Sequence, residues 1–171
     1  QSIPRMSPRV FRRAKLSNPA GAPLLAGPVS CFREGAYVGD GRVNRIAGGQ
    51  SFSQHFGSEG RIRVRKEEID DHSGFAGSFS KNLKLEKAFR ITVESVLPDS
   101  VPFELVDRIP VSAVPGIEIN LGDETTADPA VDEDGIVRWV MTLEASGKSE
   151  FILHWEATAD PEYSALLEQL R

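Results

Sequence analysis

The sequence predicts an all-β fold, an antiparallel β-sandwich-like module that ends in one short helix. Polar and apolar residues alternate in several segments, as they do in half-buried strands. Turn signals that contain glycine separate these segments, for example Glu34-Gly35, Gly48-Gly49 and Asp134-Gly135. Helical periodicity is confined to the residues after Asp160. Many short strands joined by such turns are typical of a sandwich or a related antiparallel architecture.

Alternation with a period of two predicts four strands, because successive side chains of a strand point to opposite faces. These strands cover residues 61–65, 89–94, 137–143 and 151–156. Shorter strands are predicted around Leu105 and around Ile119. The last two long strands carry Trp139 and Trp155, and a loop of moderate length joins them. We therefore expect a final β-hairpin whose two tryptophans share one core.

The C-terminal residues predict a helix. Asp160 is a suitable N-cap, and Pro161 suits the first helical position, where a missing N–H group costs nothing. One face of this helix would carry Tyr163, Leu166, Leu167 and Leu170. A helix this short is marginal in water, so we expect it to dock on the rest of the chain.

The charges divide the sequence into two parts of opposite sign, although the total is −5. Residues 1–66 contain 12 Lys and Arg against 3 Asp and Glu, a net charge of +9. Residues 67–171 contain 8 against 22, a net charge of −14. A charge run and glycines at 66–77 indicate a boundary there. We expect a basic β-subdomain over 1–66, an acidic sandwich-like subdomain over 67–160, and a helix or tail over 161–171, with the two β-subdomains packed together.

The composition is that of a globular domain, with 40% hydrophobic and 26% charged residues. The apolar runs are far shorter than the ~20 residues that cross a bilayer. A single cysteine, Cys31, excludes an internal disulfide framework and a cysteine-based zinc cluster, and its apolar neighbours predict a small buried side chain. No signal peptide is visible, and the start at Gln1 indicates a segment of a longer protein.

Motifs for catalysis are missing from the sequence. It contains no Gly-x-Ser-x-Gly elbow and no Walker phosphate loop. The three histidines, His55, His72 and His154, lack ligand-like spacing, and His72 beside two aspartates is more typical of a solvated turn. The segment 132–135 has only a fragment of a calcium loop and is ordinary hairpin chemistry. We therefore expect no enzymatic activity, no cofactor and no metal site.

The candidate binding residues are Arg61, Arg63 and Arg65. On a strand they project from one face, about 7 Å apart, while the residues between them enter the core. Their mutual repulsion requires acidic neighbours or an anionic ligand. The acidic neighbours would be Glu67, Glu68 or the loop 123–134. The ligand would be an anionic polysaccharide or a membrane surface, which guanidinium groups suit.

Nucleic acid is not an expected ligand. The chain as a whole is acidic, and its aromatic residues near the basic segments are interpreted as core residues. They are Phe11, Phe32, Tyr37, Phe52 and Phe56.

A series of motifs in the first third of the sequence has a recognisable order. An Asn18-bearing strand is followed by the turn Leu24-Leu25-Ala26-Gly27-Pro28 and then by a hairpin, Phe32-Arg33-Glu34-Gly35-Ala36-Tyr37-Val38-Gly39. Later motifs are Phe56-Gly57, the strand 61–65, Asp107-Arg108-Ile109-Pro110-Val111-Ser112 and Asp134-Gly135-Ile136-Val137-Arg138-Trp139. Together, over about residues 8–161, they resemble the uncharacterised C-terminal domain of the mucoidy inhibitor A family.

This resemblance implies a β-module without recognised catalytic residues. Family members usually carry an N-terminal domain and a coiled-coil segment, many carry an export signal, and members have been linked to exopolysaccharide production. We therefore expect a non-catalytic binding or scaffold module of a periplasmic or cell-envelope protein. Its partner would be a protein, the coiled-coil region of its own longer chain included, or an anionic glycan. The alternative is an envelope hydrolase or its regulatory domain. Exposed strand edges also leave self-pairing into a homo-oligomer open.

Overall fold

The computed structural model describes residues 2–3, 7–75 and 83–168. These residues form twelve strands: β1 (Ser2–Ile3), β2 (Ser7–Ser17), β3 (Gly27–Arg33), β4 (Ala36–Val43), β5 (Ser51–Ser58), β6 (Ile62–Phe75), β7 (Leu83–Ser95), β8 (Val101–Arg108), β9 (Ile117–Leu121), β10 (Ala130–Val131), β11 (Ile136–Leu143) and β12 (Lys148–Ala159). A 3-10 turn over Pro161–Tyr163 leads into helix α1 (Ser164–Glu168). The predicted all-β fold with a short helix after Asp160 is confirmed.

The chain divides into two compact units. The first comprises Arg9–Gly60, and the second comprises Ser2–Pro8 with Arg61–Arg171. The boundary that charge indicated at residue 66 falls inside β6, which runs without a break from Ile62 to Phe75. The sign of the net charge therefore changes within a strand, where exposed side chains of either sign are tolerated. The boundary between the two units in the sequence lies at Gly60 and not at residue 66.

The first unit is built from two antiparallel pairs. Strand β2 pairs with β5, with Leu16 opposite Phe52. Strands β3 and β4 form a hairpin whose turn residues, Glu34 and Gly35, have φ values of 51° and 81°. Two left-handed residues in succession are the signature of a type I′ turn, whose twist matches that of the flanking strands.

Asn18 organises the loops of the first unit. It is almost completely buried, and its side-chain nitrogen donates hydrogen bonds to backbone carbonyls. These carbonyls belong to Ala22 (3.0 Å), Ala47 (3.2 Å) and Ile46 (3.4 Å). Its side-chain oxygen accepts from the backbone of Ala20, and its own backbone bonds to Gln50 and Gly49. One amide group therefore holds the 18–22 and 46–50 loops together.

The second unit is a sandwich of two sheets. One sheet has the order β6-β7-β12-β9, and the other contains β10, β11 and β8, with β1 parallel to β8. The side chains between the sheets include Ile91, Val93, Leu105, Val137, Leu143 and Leu153, all of which exclude water almost completely. The rings of Trp139 on β11 and Phe151 on β12 contact each other across the interior, with centroids 6.0 Å apart.

The predicted hairpin of the last two long strands is wrong. Strand β11 pairs with β8, whereas β12 pairs with β7 and β9, so the two strands belong to opposite sheets. Both tryptophans are buried, as expected. Both β11 and β12 have a continuous apolar face. In opposite sheets these two faces pack against each other, whereas in a hairpin both would lie on the same side of one sheet and need a further layer to cover them.

A polar bridge closes the sandwich near β12. Thr126 accepts a hydrogen bond from the backbone of Ile152 through its hydroxyl, at 2.8 Å, and its carbonyl accepts from the Trp139 indole N–H, also at 2.8 Å. The Thr125 hydroxyl donates to the His154 carbonyl at 2.8 Å and accepts from the His154 backbone N–H at 3.2 Å. The acidic loop after β9 is thus anchored to both sheets through its threonines.

The C-terminal helix docks on the second unit as expected. The backbone of Tyr163 bonds back to Asp160, and Leu167 is buried. The Tyr163 ring packs on Gly116, where an added Cβ would lie 2.1 Å from the ring. Leu166 is exposed, and Leu170 lies outside the described residues.

We expect the substitution Asn18→Ala to destabilise the first unit by about 1–3 kcal/mol, because it removes a buried amide that donates to three backbone carbonyls. Urea unfolding and the exchange of amide hydrogens in residues 18–22 and 46–50 measure the effect. Asn44→Ala, at an exposed position of the same unit, is the matched control. Equal effects of the two substitutions would contradict the role of Asn18.

Candidate binding surfaces

The three candidate arginines lie at the start of the first sheet of the second unit. All three side chains are exposed, while Ile62 and Val64 between them are only 6% exposed. The predicted alternation is therefore confirmed. The strand β6 places Arg63 opposite Glu94 and Arg65 opposite Thr92 on β7.

The next strand continues this alternation of charge. Lys148 on β12 lies opposite Glu94, and Glu150 lies opposite Thr92. Lys148 and Glu150 also form an ion pair at 2.7 Å, and this hydrogen bond raises the pKa of the lysine and lowers the pKa of the glutamate. The outer face of the sheet carries rows of mixed charge, so the arginines do not form a purely basic stripe.

Two of the other acids expected near the arginines pair with different residues. Glu68 forms an ion pair with Lys87, and Asp132 forms one with Arg138 on β11. The loop 123–134 is held to β12 by its threonines and lies along the β9 edge of that strand. The carboxylate opposite Arg63 belongs to Glu94. The charge count of the two halves did not identify this residue.

We expect the triple substitution of Arg61, Arg63 and Arg65 by glutamine to destabilise the chain modestly at low salt. Exposed pairs are worth about 0–1 kcal/mol each, and salt screens them, so the loss should fade at high ionic strength. Thermal unfolding at two salt concentrations measures this effect, with Arg45→Gln in the first unit as control. Unchanged stability together with lost retention on an anionic polysaccharide column would instead indicate a ligand surface.

A charged cluster inside the sandwich was missed by the sequence analysis. Lys66 Nζ lies 2.7 Å from Asp107 Oδ2, and this ion pair joins β6 of one sheet to β8 of the other. Asp107 is 0% exposed, and its second oxygen accepts the backbone N–H of Arg108 at 2.8 Å. The Lys66 ammonium also lies 4.2 Å from the centre of the Phe89 ring. Nearby on the same face, Lys87 pairs with Glu68 at 2.7 Å.

The alternation of β6 contained the signal for this cluster. Lys66 has the same parity as Ile62 and Val64, so a regular strand turns it inward. Asp107 likewise follows Phe103 and Leu105 on the inward side of β8. The charge run that begins at Lys66 instead predicted a boundary between subdomains. Within the sandwich the ammonium and carboxylate groups of Lys66 and Asp107 neutralise each other and tie the sheets together.

We expect Lys66→Met to destabilise the second unit by about 3–5 kcal/mol, because it leaves the buried Asp107 carboxylate unpaired. Adding Asp107→Leu should restore most of the loss, since an apolar pair needs no compensating charge. Chemical unfolding of the single and double variants measures both effects. A double variant as unstable as the sum of its singles would show that the two side chains do not act as a pair.

Metal ligands are not gathered in the described part of the chain. No three His, Cys, Asp or Glu side chains lie together there. The His154 ring packs against Gly122, and His55 contacts the Phe11 ring edge-on. The side chain of His72 lies outside the described residues. Asp132 accepts the backbone N–H groups of Asp134 and Ile136, which makes its segment a hairpin turn.

The first unit exposes many of its large apolar side chains and buries few of them. It buries three apolar side chains, those of Val10, Cys31 and Ile46. Its exposed large apolar side chains are Phe11, Leu16, Leu24, Leu25, Phe32 and Tyr37. The interpretation of Phe11, Phe32 and Tyr37 as core residues is therefore wrong, whereas Phe52 and Phe56 are half-buried. The exposed large apolar residues described in the second unit include no aromatic one.

One strand face concentrates these exposed groups. We call it the hairpin face, and it consists of Pro28, Ser30 and Phe32 on β3 with Tyr37, Asp40 and Arg42 on β4. Phe32 lies directly opposite Tyr37, each 56% exposed, and their rings meet edge to face with centroids 5.7 Å apart. The hairpin register therefore presents an aromatic pair to the outside.

The polar groups of the hairpin face are oriented by each other. The Tyr37 hydroxyl hydrogen-bonds the Asp40 carboxylate, which also accepts from the Ser30 hydroxyl at 2.9 Å. These two bonds lower the pKa of Asp40, and the same carboxylate raises the pKa of Tyr37. The Tyr37 ring is therefore held in place by its own hydroxyl, which reduces the entropy lost when the ring is buried by a partner.

The first unit is also basic. Residues 9–60 contain 7 Lys and Arg against 3 Asp and Glu. Glu59 is buried in an ion pair with Arg12, and Asp40 is bonded within the hairpin face. Aromatic and arginine side chains in an exposed patch are the groups that contribute most to protein–protein affinity. The unit therefore combines exposed aromatic side chains with an excess of basic ones.

The comparison with protein families matches residues 5–161 to the family described as Domain of unknown function (DUF4139). This chain belongs to the DUF4139 family. The match includes the hairpin face, Asn18 and every described strand except β1. The family description assigns no activity.

A curated relative is Protein F37C4.5 of Caenorhabditis elegans, 23% identical over 165 residues. The match covers 90% of this chain and 30% of that protein, so the chain spans under a third of its relative's length. No solved structure matches the chain. Among the described residues, no helix has the length and apolar character required to cross a membrane.

Proposed function

We propose that this DUF4139 chain is a non-catalytic binding module that docks onto an acidic protein surface through its hairpin face. The observation that carries the proposal is the exposure of Phe32 and Tyr37 in a unit that buries only three apolar side chains. Exposed aromatic side chains lose favourable burial energy unless a partner covers them. Arg42 on the same face supplies a cation for the partner's carboxylates.

The relation to known families supports a role within a larger protein. The C. elegans relative contains this domain in a chain about three times as long. The resemblance to the C-terminal domain of the mucoidy inhibitor A family supports a place at the cell envelope and a connection with exopolysaccharide production. The mixed charges around Arg63 and Arg65 favour a protein partner over an anionic glycan, because acidic groups stand in the same rows.

A photo-crosslinking amino acid at Tyr37 tests this proposal in the native cells of the protein. We expect a specific crosslinked product, since the partner's surface contacts the hairpin face. Introducing the same group at Val140, which is 82% exposed in the second unit, is the matched control. Adding Phe32→Ser should reduce the yield several-fold without unfolding the chain, because Phe32 is more than half exposed.

Mass spectrometry of the product identifies what lies against position 37. A product formed equally at 37 and 140, or at neither position, would show that the hairpin face is not a binding surface. A crosslink to a second copy of the chain would show that the partner is the same protein and that the protein forms a homo-oligomer.

A further inference from the structure

We propose that a second copy of this chain pairs with the free edge of β6, so that two copies form an antiparallel dimer around a two-fold axis. Strand β6 is the first strand of the sheet β6-β7-β12-β9, and no described strand lies on its other side. The sequence left self-pairing through strand edges open, whereas the order of charges along β6 selects one edge and one register. The proposal is independent of the hairpin face, which belongs to the first unit.

The free edge of β6 presents backbone groups at alternate residues. The Val96 N–H group, just after β7, donates to the Arg61 carbonyl at 2.9 Å, so Arg61 directs its backbone groups towards the β7 side. In an antiparallel ladder this direction alternates from residue to residue. The backbone groups that point away from β7 therefore include those of Val64, Lys66 and Glu68, and a further strand can bond to them.

The charge of the exposed side chains changes sign along the regular part of β6. Arg63 and Arg65 come first, Glu67 follows, and all three side chains are exposed. A shift of register between residues 68 and 70 then interrupts the ladder with β7. In a two-fold dimer the same edge meets itself in the reverse direction. A strand that is basic first and acidic later is therefore complementary to a second copy of itself.

Parity and charge together select the register. Residues opposite each other in one sheet point to the same face, so the two-fold axis passes through a residue and not between two residues. An axis at Lys66 places Arg65 of each copy opposite Glu67 of the other. An axis at Arg65 would place two guanidinium groups opposite each other, and an axis at Glu67 would do the same with two carboxylates, both of which are unfavourable.

The residues near this axis have the charge balance that the pairing requires. The Lys66 ammonium is directed into the sandwich, where it pairs with Asp107 of its own chain at 2.7 Å, so the two lysines at the axis are already neutralised. Their backbone groups face the free edge and are available to each other. Within the described residues, neither Arg65 nor Glu67 forms an ion pair in its own chain.

The same charges make the edge selective. Charged side chains and bulges protect the edge strands of natural proteins against indiscriminate pairing. An apolar strand added to β6 would leave Arg65 and Glu67 beside uncharged neighbours, and a strand with another order of charges would place like charges together. A second copy of β6 meets neither penalty, and specificity of this kind rests as much on rejecting other partners as on binding the right one.

A charge swap tests the axis at Lys66. We expect the full chain to sediment as a monomer–dimer equilibrium at low salt, and Arg65→Glu to weaken the dimer by about ten-fold or more, since it places carboxylates opposite each other. Glu67→Arg should have an equal effect. The double variant Arg65→Glu/Glu67→Arg should restore the association of the original chain, because opposite charges face each other again. Lys148→Glu is the matched control, an exposed position on β12 of the same sheet, and should leave the dimer unchanged.

Hydrogen exchange locates the contact without any substitution. The amides of Val64, Lys66 and Glu68 point to the free edge, and we expect them to exchange about ten-fold more slowly at a protein concentration where about nine-tenths of the chains are dimeric. The amides of Arg63 and Arg65 point to β7 and should exchange at the same rate at low and high protein concentration. Residue-resolved exchange followed by NMR at two concentrations measures this difference.

The outcomes decide between a dimer at β6 and its alternatives. A chain that remains monomeric up to about millimolar concentration overturns the proposal. So does a dimer that Arg65→Glu and Lys148→Glu weaken equally, or one that the charge swap fails to restore. A dimer in which the amides of residues 64, 66 and 68 exchange as fast as in the monomer shows that two copies meet at another surface, which overturns the proposal as well.

Discussion

The need to cover one apolar face of every strand is the constraint on which the two units depend. In the second unit the solution is internal, because β11 and β12 lie in opposite sheets and bury Trp139 and Phe151 against each other. The first unit has only the pairs β2–β5 and β3–β4, and it buries three apolar side chains. There, the backbone is held by Asn18, and aromatic side chains remain at the surface. The same pattern of alternation thus leads to a closed structure in one unit and an open one in the other.

The sequence predicts the strands well because alternation is a local property. The segments around Val64, Ile91, Trp139 and Leu153 all form strands with the expected side facing inward. Strand pairing is not local: alternation specifies which side chains are buried but not which strand lies beside them. Alternation therefore predicts a hairpin of the last two strands, although the chain crosses between sheets through residues 144–147. A backbone bond from Ser146 to Leu97 holds that crossing beside the one that joins β7 to β8.

The candidate binding residues show the same difference between local properties, which the sequence predicts, and non-local ones, which it does not. Arg61, Arg63 and Arg65 are exposed as predicted, but the glutamate opposite Arg63 comes from a strand distant in sequence. Whether they bind a ligand stays a prediction. The inward direction of Lys66 followed from parity, whereas its partner Asp107 required the sandwich to be known. Phe32 and Tyr37 were assigned to a core because large rings are usually buried. Their exposure depends on the size of the unit, which composition does not reveal.

The position of β12 has a consequence for the synthesis of the protein. This strand is the last of the described strands, yet it lies between β7 and β9 in its sheet. Until residue 159 has left the ribosome, β7 and β9 lack the strand that joins them, and their apolar side chains are open to other nascent chains. Pairing of β7 with β12 also closes a loop of more than fifty residues, as in the register of Phe151 with Ile91. The second unit is therefore expected to fold slowly and only once β12 has been synthesised, and chains that are truncated before β12 are expected to aggregate.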